Sequence, residues 1–490
     1  MRWSILAIFL LGFSLRTFAF LSERSLWIDE AMVALNIVER SPARLIEPLD
    51  RNQGAPVGFL LATKASVELF GATEYALRLP AFLASLVGLG AFGFAAYRLL
   101  PRSAAPLVFA LFAISPHIVS YAAECKQYSS DAALAAVLLA IAAPFFLGPV
   151  RVQNWLTFGI VGAVSVWCSH PALFVLAGLG VSLLTCAMIH RDRARILGLI
   201  LLGGSWLLSF AAVYIINLQH LGHNDYLITY WAGHFAPLPV SRSGLVWFVD
   251  HALVFLHEPA GLSGSQRVTG LLVGSVGIVG LIALARIRRW LVFAFIVTVI
   301  FTLVSSGSYL YPFAGRLLLF LVPMSCVIWG CGANWLASQC GHRGMILGWL
   351  VLVWPGIELV NEFQKPARTE QIQPMLNHVQ SNWQPGDRIY VYGGSGDAGA
   401  GPAFDFYSPR YLFPAESVVR GGIHRDDPSL YRIEITKLPP GRIWVLFTHR
   451  HRDEESVIRR YFASAGSCRE SVDARGASLH LYEIARQSPP

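Results

Sequence analysis

Pro171-Ala-Leu-Phe-Val-Leu-Ala-Gly-Leu-Gly-Val-Ser-Leu-Leu-Thr-Cys-Ala-Met-Ile189 runs for 19 residues without a charge, and His190-Arg-Asp-Arg-Ala-Arg195 follows it. A hydrocarbon layer needs roughly 20 apolar helical residues, with about 17 as the short limit. This stretch therefore reads as a membrane span, and the arginines as the loop that ends it. By the same rule, spans are expected near 3–21, 77–97, 103–122, 129–148, 154–169, 171–189, 195–217, 268–285, 290–306, 315–336 and 344–361. His170-Pro171 sets a tight reversal between the fifth and sixth. Residues 4–20 have the length of a signal-peptide core, but Arg16 and the lack of a small-x-small cleavage site mark a retained first helix.

The whole composition agrees. Hydrophobic residues are 54% of the 490 and charged residues only 14%, and mean hydropathy is +0.52. Soluble chains carry about 25% charged residues, so a water-soluble reading of the whole chain is excluded, as is disorder, given 12% aromatics. The formal charge of +8 fits arginine-rich cytoplasmic loops better than a nucleic-acid partner, and none is expected. Seven cysteines, mostly in or beside apolar stretches, are not a disulfide framework. The charge is uneven. About 31 charged residues fall in the last 130 or so positions, near the soluble norm, and about 37 in the first 360. Two domains are expected: residues 1–361, mainly α and polytopic with about 11 transmembrane helices, and a small extracytoplasmic α/β domain over 362–490.

Orientation follows from the short loops, because Lys and Arg collect on the cytoplasmic side. Arg98 and Arg102, Arg151, Arg191, Arg193 and Arg195, Arg286, Arg288 and Arg289, and Arg343 fall on alternate loops, together with Arg2. The opposite side receives 22–76, 121–130, 218–267, 306–314 and the tail. In the tail, Glu370–Trp383 reads as a helix, and 388–392, 442–447 and 479–484 read as strands. Gly393-Gly-Ser-Gly396 looks like a phosphate loop, but its spacing fits neither nucleotide motif, so a flexible loop is expected. There is no internal repeat, low-complexity run or heptad pattern.

Ionisable groups near membrane depth are expensive and mark function by default. Leu26-Trp-Ile-Asp-Glu-Ala31 sets Asp29 and Glu30 against apolar neighbours, where desolvation raises a carboxylate toward a useful base. The plainer reading is a surface helix with an acidic first turn. In Tyr121-Ala-Ala-Glu-Cys-Lys-Gln-Tyr128, Glu124, Lys126 and Tyr128 cluster between two spans, with Glu124 and Tyr128 at i, i+4. Ordinary headgroup-level polarity is the alternative. Lys126 and Lys64 are the only lysines before the tail, and lysine serves phosphate as a point charge or snorkels without a role. Asp29, Glu30 and Glu124 offer hard oxygen ligands to a divalent ion, which leaves metal use open. No His or Cys cluster has zinc spacing, and Cys326 and Cys331 read as core. His220 and His223 read as solvated loop rather than acceptor site. Residues 244–257 read as an interfacial amphipathic helix rather than a twelfth span.

These stretches form an ordered succession with Ala55-Pro-Val-Gly-Phe, Phe70-Gly-Ala-Thr-Glu-Tyr-Ala-Leu-Arg-Leu-Pro80 and, later, Tyr311-Pro-Phe-Ala-Gly-Arg316. The succession resembles bacterial members of the protein O-mannosyltransferase and aminoarabinose-transferase superfamily, glycosyltransferases of the C-type membrane fold. The match is densest over about residues 1–130. Departures are Cys125 and Gln127 where the family often has Ala and Pro, Lys126 where Arg is common, and one proline at Ala55-Pro-Val. The resemblance implies a multi-pass protein of the bacterial inner membrane, its N-terminus cytoplasmic. It implies transfer of a monosaccharide from a polyprenyl-phosphate-linked donor to a glycan, lipid or protein acceptor. In an inverting displacement Asp29 is then the general base and Glu30 positions a substrate. Glu124 holds a sugar hydroxyl, and Lys126, Arg316 and Lys64 serve the phosphate. Tyr128 and Arg78 complete the substrate-binding set. The rival readings are an oligosaccharide ligase or polymerase, which the 218–267 loop keeps alive, and a polyprenyl-lipid transporter or flippase.

Overall fold

The computed structural model describes residues 2–222, 224–341, 348–366 and 369–485. It divides into two compact units. One comprises Met1–Ser22, Pro42–Pro48 and Gly54–Lys365, and the other Glu23–Ser41, Leu49–Gln53 and Pro366–Pro490.

The first unit is helical. Among the described residues, seven helices are long and apolar enough to cross a membrane: Trp3–Leu21, Glu74–Leu99, Tyr128–Leu147, Ala172–Ile189, Arg193–Leu221, Arg267–Gly307 and Gly315–Gln339. Val152–Cys168 is a shorter apolar helix, separated from the next by only residues 169–171, the expected tight reversal. Arg267–Gly307 holds two expected spans. Its helical geometry breaks at Arg288 (φ −143°, ψ 63°), amid the arginines expected to form a loop. The chain is a polytopic membrane protein, mainly α, with a small sheet domain.

Three expectations are corrected or left aside. The span expected over 103–122 is two short helices, Ala105–Ala113 and Pro116–Tyr121. Pro116 has no N–H to continue a helix, and it drives Ser115 into an extended conformation (ψ 117°). Residues 122–127, expected to carry Glu124 and Tyr128 on one helix face, are turns and bends, and helix resumes only at Tyr128. The start of the 344–361 span lies outside the described residues, as do Arg343 and His223; its remainder is a 3-10 turn, Trp349–Leu352, and the helix Val353–Gln364.

Small residues set the helix contacts. Lipid tails give helices no hydrophobic reason to associate, so close packing must do it. A Cβ on Gly280 would overlap the Ile328 carbonyl oxygen, and one on Gly332 would overlap that of Val276. The first leg of 267–307 therefore lies backbone to backbone against Val322–Gln339. Gly178 meets Ala294 and Thr298 in the same way. Arg16 is fully buried, donating from Nε to Ser85 Oγ (2.9 Å) and from Nη1 to the carbonyls of Gly12 and Ala113 (each 2.9 Å). Leu271, Leu272, Ile278, Ile282, Ile300 and Val304 stand exposed, as expected of a face turned to hydrocarbon. The segment 242–257 is a 16-residue helix.

The second unit contains a five-stranded sheet of order β2-β1-β3-β5-β4. The strands are β1 Arg388–Val391, β2 Val418–Arg420, β3 Gly441–Thr448, β4 Gly466–Ala474 and β5 Ala477–Ile484. β1 runs parallel to β2 and β3, while β5 is antiparallel to β3 and β4. The three expected strands are β1, β3 and β5. β2 and β4 are edges, one three residues long and the other polar. The helix Ile372–Ser381 buries Ile372, Met375, Leu376 and Val379, the i, i+3, i+4, i+7 stripe of one helical face. Glu455 is partly buried, which opposes its charge, but bonds from His480, Arg450 and Ser478 pull its carboxyl down to about 2. Three amides of 393–396 bond backbone: Gly394 N–H donates to Val391 O, Ser395 N–H to Gly421 O and Gly396 N–H to Gly393 O. The amides of Gly394, Ser395 and Gly396 are thus already engaged with backbone carbonyls.

Gly280→Leu should separate its helix pair at a cost of about 1–3 kcal/mol. Gly203→Leu, where a Cβ meets nothing within 4 Å, should stay within about 0.5 kcal/mol of wild type. The midpoint of thermal loss of the monodisperse detergent-solubilised species reads both.

Candidate active site

Asp29 and Glu30 occupy the first turn of the helix Ile28–Glu39. The helix is not the surface helix of the plainer reading, since nine of its residues are buried, including Glu30 (1% exposed); Asp29 is half-buried. Its N-cap residue is Trp27, which cannot cap with its side chain. The orphan amides of a helix start must find partners elsewhere, and here distant residues of the same unit bond the first of them and two amides leading into the helix. Glu370 Oε2 accepts from Ile28 N–H (3.1 Å), Tyr407 Oη from Leu26 N–H (2.8 Å), and Gln371 Oε1 from Ser25 N–H (3.2 Å). Further along, Asn36 Oδ1 accepts from Asp50 N–H (2.8 Å), and Arg40 pairs with Asp50 (2.7 Å). Arg51 reaches Asp397 (2.8 Å) and Asp405 (3.1 Å). The acidic pair thus sits on a helix end fixed by hydrogen bonds and ion pairs, with the positive end of the helix dipole favouring both charges.

Glu370 does a second job. Its Oε1 is 2.8 Å from His449 Nδ1. That bond raises the His449 imidazole above its ordinary value, against burial and with help from the charge of Asp29. Neither Glu370 nor His449 was singled out in the sequence.

The other expected residues lie in the first unit. Glu124 and Lys126 are buried in the turn before Tyr128, where Lys126 N–H donates to Glu124 O (2.8 Å). Gln127 Nε2 donates to Gly54 O (3.3 Å). Arg316, on the 3-10 turn Gly315–Leu321, is brought over the Tyr128 ring at 5.4 Å, and Tyr128 meets Tyr121 edge-on at 5.2 Å. Arg78 is buried on Glu74–Leu99, and Lys64 is half-buried on Val57–Phe70. Of the expected cations, Arg316 thus makes a cation–π contact with Tyr128.

Several polar groups near these were missed. Asp131 is buried on the first turn of Tyr128–Leu147; within an apolar span it reads as part of the run. Tyr311 donates to Leu317 O (2.7 Å), and burial with the charges of Asp131 and Tyr128 pushes its phenol well above the ordinary value. Burial pushes His170 down to about 4 despite its bond to Asn217 (3.2 Å), so the ring is neutral at neutral pH. A polar residue at the end of an apolar run was the available signal. His220 is exposed. Cys326 and Cys331 are buried core, and the seven cysteines are free thiols. Among the described residues no group of three or more His, Cys, Asp or Glu gathers that could hold a metal ion.

No family model matches the chain, and no curated protein matches it. Solved structures do. An Archaeoglobus fulgidus oligosaccharyltransferase, crystallised with Zn and sulfate, matches at TM-score 0.50 and 12% identity over 90% of this chain and 67% of its own. ArnT from Cupriavidus metallidurans bound to undecaprenyl phosphate matches at TM-score 0.42 and 15% identity over 99% of each chain. The archaeal oligosaccharyltransferase AglB from Archaeoglobus fulgidus, with an inhibitory peptide and a dolichol-phosphate, matches at TM-score 0.48 and 11% identity over all of this chain and 75% of its own. The chain has the C-type membrane glycosyltransferase fold.

Removing Glu370 tests the clamp. Glu370→Ala leaves Ile28 N–H and His449 without their acceptor and should lower stability by about 1–3 kcal/mol. Because the folded state raises His449, the Glu370–His449 part of that stability is complete below about pH 6.5 and is lost as pH rises through the raised value. The gap between wild type and Glu370→Gln in thermal midpoint should therefore be widest near pH 5.5 and narrow by pH 8.5.

Proposed function

We propose that this protein is an integral-membrane glycosyltransferase that moves a monosaccharide from a polyprenyl-phosphate-linked donor to an extracytoplasmic acceptor. The observation that carries the reading is the acidic pair Asp29–Glu30, fixed on a clamped, mostly buried helix start in a chain with the C-type glycosyltransferase fold. The succession of motifs through residue 130 and Arg316 supports the donor class.

The reaction is a single inverting displacement. Asp29 takes the proton of an acceptor hydroxyl or amide as that atom bonds the anomeric carbon. The bond from the anomeric carbon to the phosphate oxygen breaks, and polyprenyl phosphate leaves with the electron pair. Glu30 positions a substrate, and Glu124 binds a sugar hydroxyl. Lys126, Arg316 and Lys64 offset charge growing on the leaving phosphate, the term that is usually largest in such catalysis. The cation–π contact with Tyr128 places the Arg316 guanidinium, and a guanidinium can bind phosphate in bidentate fashion. Arg78 completes the substrate-binding set. The site faces the extracytoplasmic side of the bacterial inner membrane, an orientation that the alternation of arginine loops supports.

The test uses full-length protein in nanodiscs, radiolabelled polyprenyl-phosphate monosaccharides and oligosaccharides, and membrane extract as acceptor. Wild type should move label from a monosaccharide donor to a new product. Asp29→Asn should fold and lose about 10²–10⁴-fold in rate, the usual worth of a general base. Undiminished turnover in that variant removes Asp29 as the base. Transfer from oligosaccharide donors alone makes the protein a glycan ligase, and donor movement across a vesicle bilayer without transfer makes it a transporter.

A further inference from the structure

Glu370 is 6% exposed, and its two oxygens have different partners. Oε2 accepts from the amide of Ile28, the residue beside Asp29, and Oε1 meets His449 Nδ1. An ionised carboxylate only accepts, so Nδ1 carries a proton and the ring's orientation is set. His449 follows the last residue of β3 and adopts φ +47°, a left-handed conformation uncommon outside glycine and costing of the order of 1 kcal/mol or more. The chain accepts that strain at the residue that reaches Glu370. The charged groups acting on His449 are Glu370, Asp29 and Arg425; Arg425 is itself tied to Glu454 at 3.1 Å. Glu370, His449 and Asp29 belong to one compact unit.

A base must be ionised before the acceptor arrives. Glu30, adjacent to Asp29, works against this, because a like charge favours the protonated form. A cation held two hydrogen bonds from Ile28, as His449 is through Glu370, works for it.

We propose that His449, oriented by Glu370, is a positioning residue for Asp29: its imidazolium holds the Asp29 carboxylate ionised and in place as the proton acceptor. This rests on Asp29 being the base of the proposed transfer. His449 does not touch the reacting atoms. It acts through Asp29, while Glu370 fixes both the helix end that carries Asp29 and the ring that attends it.

The test uses full-length protein in nanodiscs and has a kinetic and a spectroscopic arm. His449→Gln keeps a donor for Glu370 but no charge; kcat should fall about tenfold with KM changed less than about twofold. His449→Lys restores a cation, and kcat should return to within about threefold of wild type. With ring-labelled histidine, the His449 resonance is assigned by its loss in His449→Gln. Its titration midpoint should fall in Asp29→Asn and fall further in Glu370→Gln. A midpoint unmoved by Asp29→Asn, or a lysine variant as slow as the glutamine variant, overturns the proposal. Undiminished turnover in Asp29→Asn overturns it by a separate route, through the base assignment.

Discussion

Each backbone amide in a hydrocarbon layer must find a partner within the chain, because no water is there to supply one. That requirement forces the first unit into helices and makes each interruption informative. The chain stops being helical at Ser115 because Pro116 offers no amide, and at Arg288 among charges that do not belong in lipid. Between the breaks, Gly178, Gly280 and Gly332 bring backbones close enough for dispersion to replace the missing hydrophobic drive. Arg16 is kept in the interior by carbonyls of its own helix and of Ala113, and by Ser85.

The same accounting governs the start of the helix that carries Asp29 and Glu30. Trp27 cannot cap it, so Glu370, Gln371 and Tyr407 supply acceptors to the amides of 28, 25 and 26. A loop that would otherwise be mobile becomes part of the unit built around the sheet. A catalytic carboxylate must be held in place before substrate arrives, and in the proposed transfer this clamp does so for Asp29. In the proposed positioning role, His449 adds charge to that geometry.

Much of this was legible in the sequence. Long apolar runs are local signals, and most expected spans are helices where hydropathy put them. The reversal at His170-Pro171 and the strands at 388–392, 442–447 and 479–484 were readable for the same reason. The short helices on either side of Ser115 were not read, although Pro116 was in view, because hydropathy is blind to backbone geometry. The edge strands β2 and β4 were missed because one is too short and the other too polar to show a buried face. Asp131 was hidden by the apolar run that contains it.

The sequence by itself determined a polytopic helical membrane chain with a small α/β tail, and it singled out Asp29, Glu30, Glu124, Lys126, Tyr128 and Arg316 as residues worth attention. Only the tertiary structure decided that Asp29 and Glu30 sit on a helix end tied to Glu370, 342 positions away. Only it decided that Arg316 lies over the Tyr128 ring, and that His449 bonds the same Glu370 that holds the helix end. The physical reason is range. Hydropathy and helical period are written in neighbouring residues, whereas a hydrogen bond needs two atoms about 3 Å apart and is indifferent to how far apart they lie in the chain.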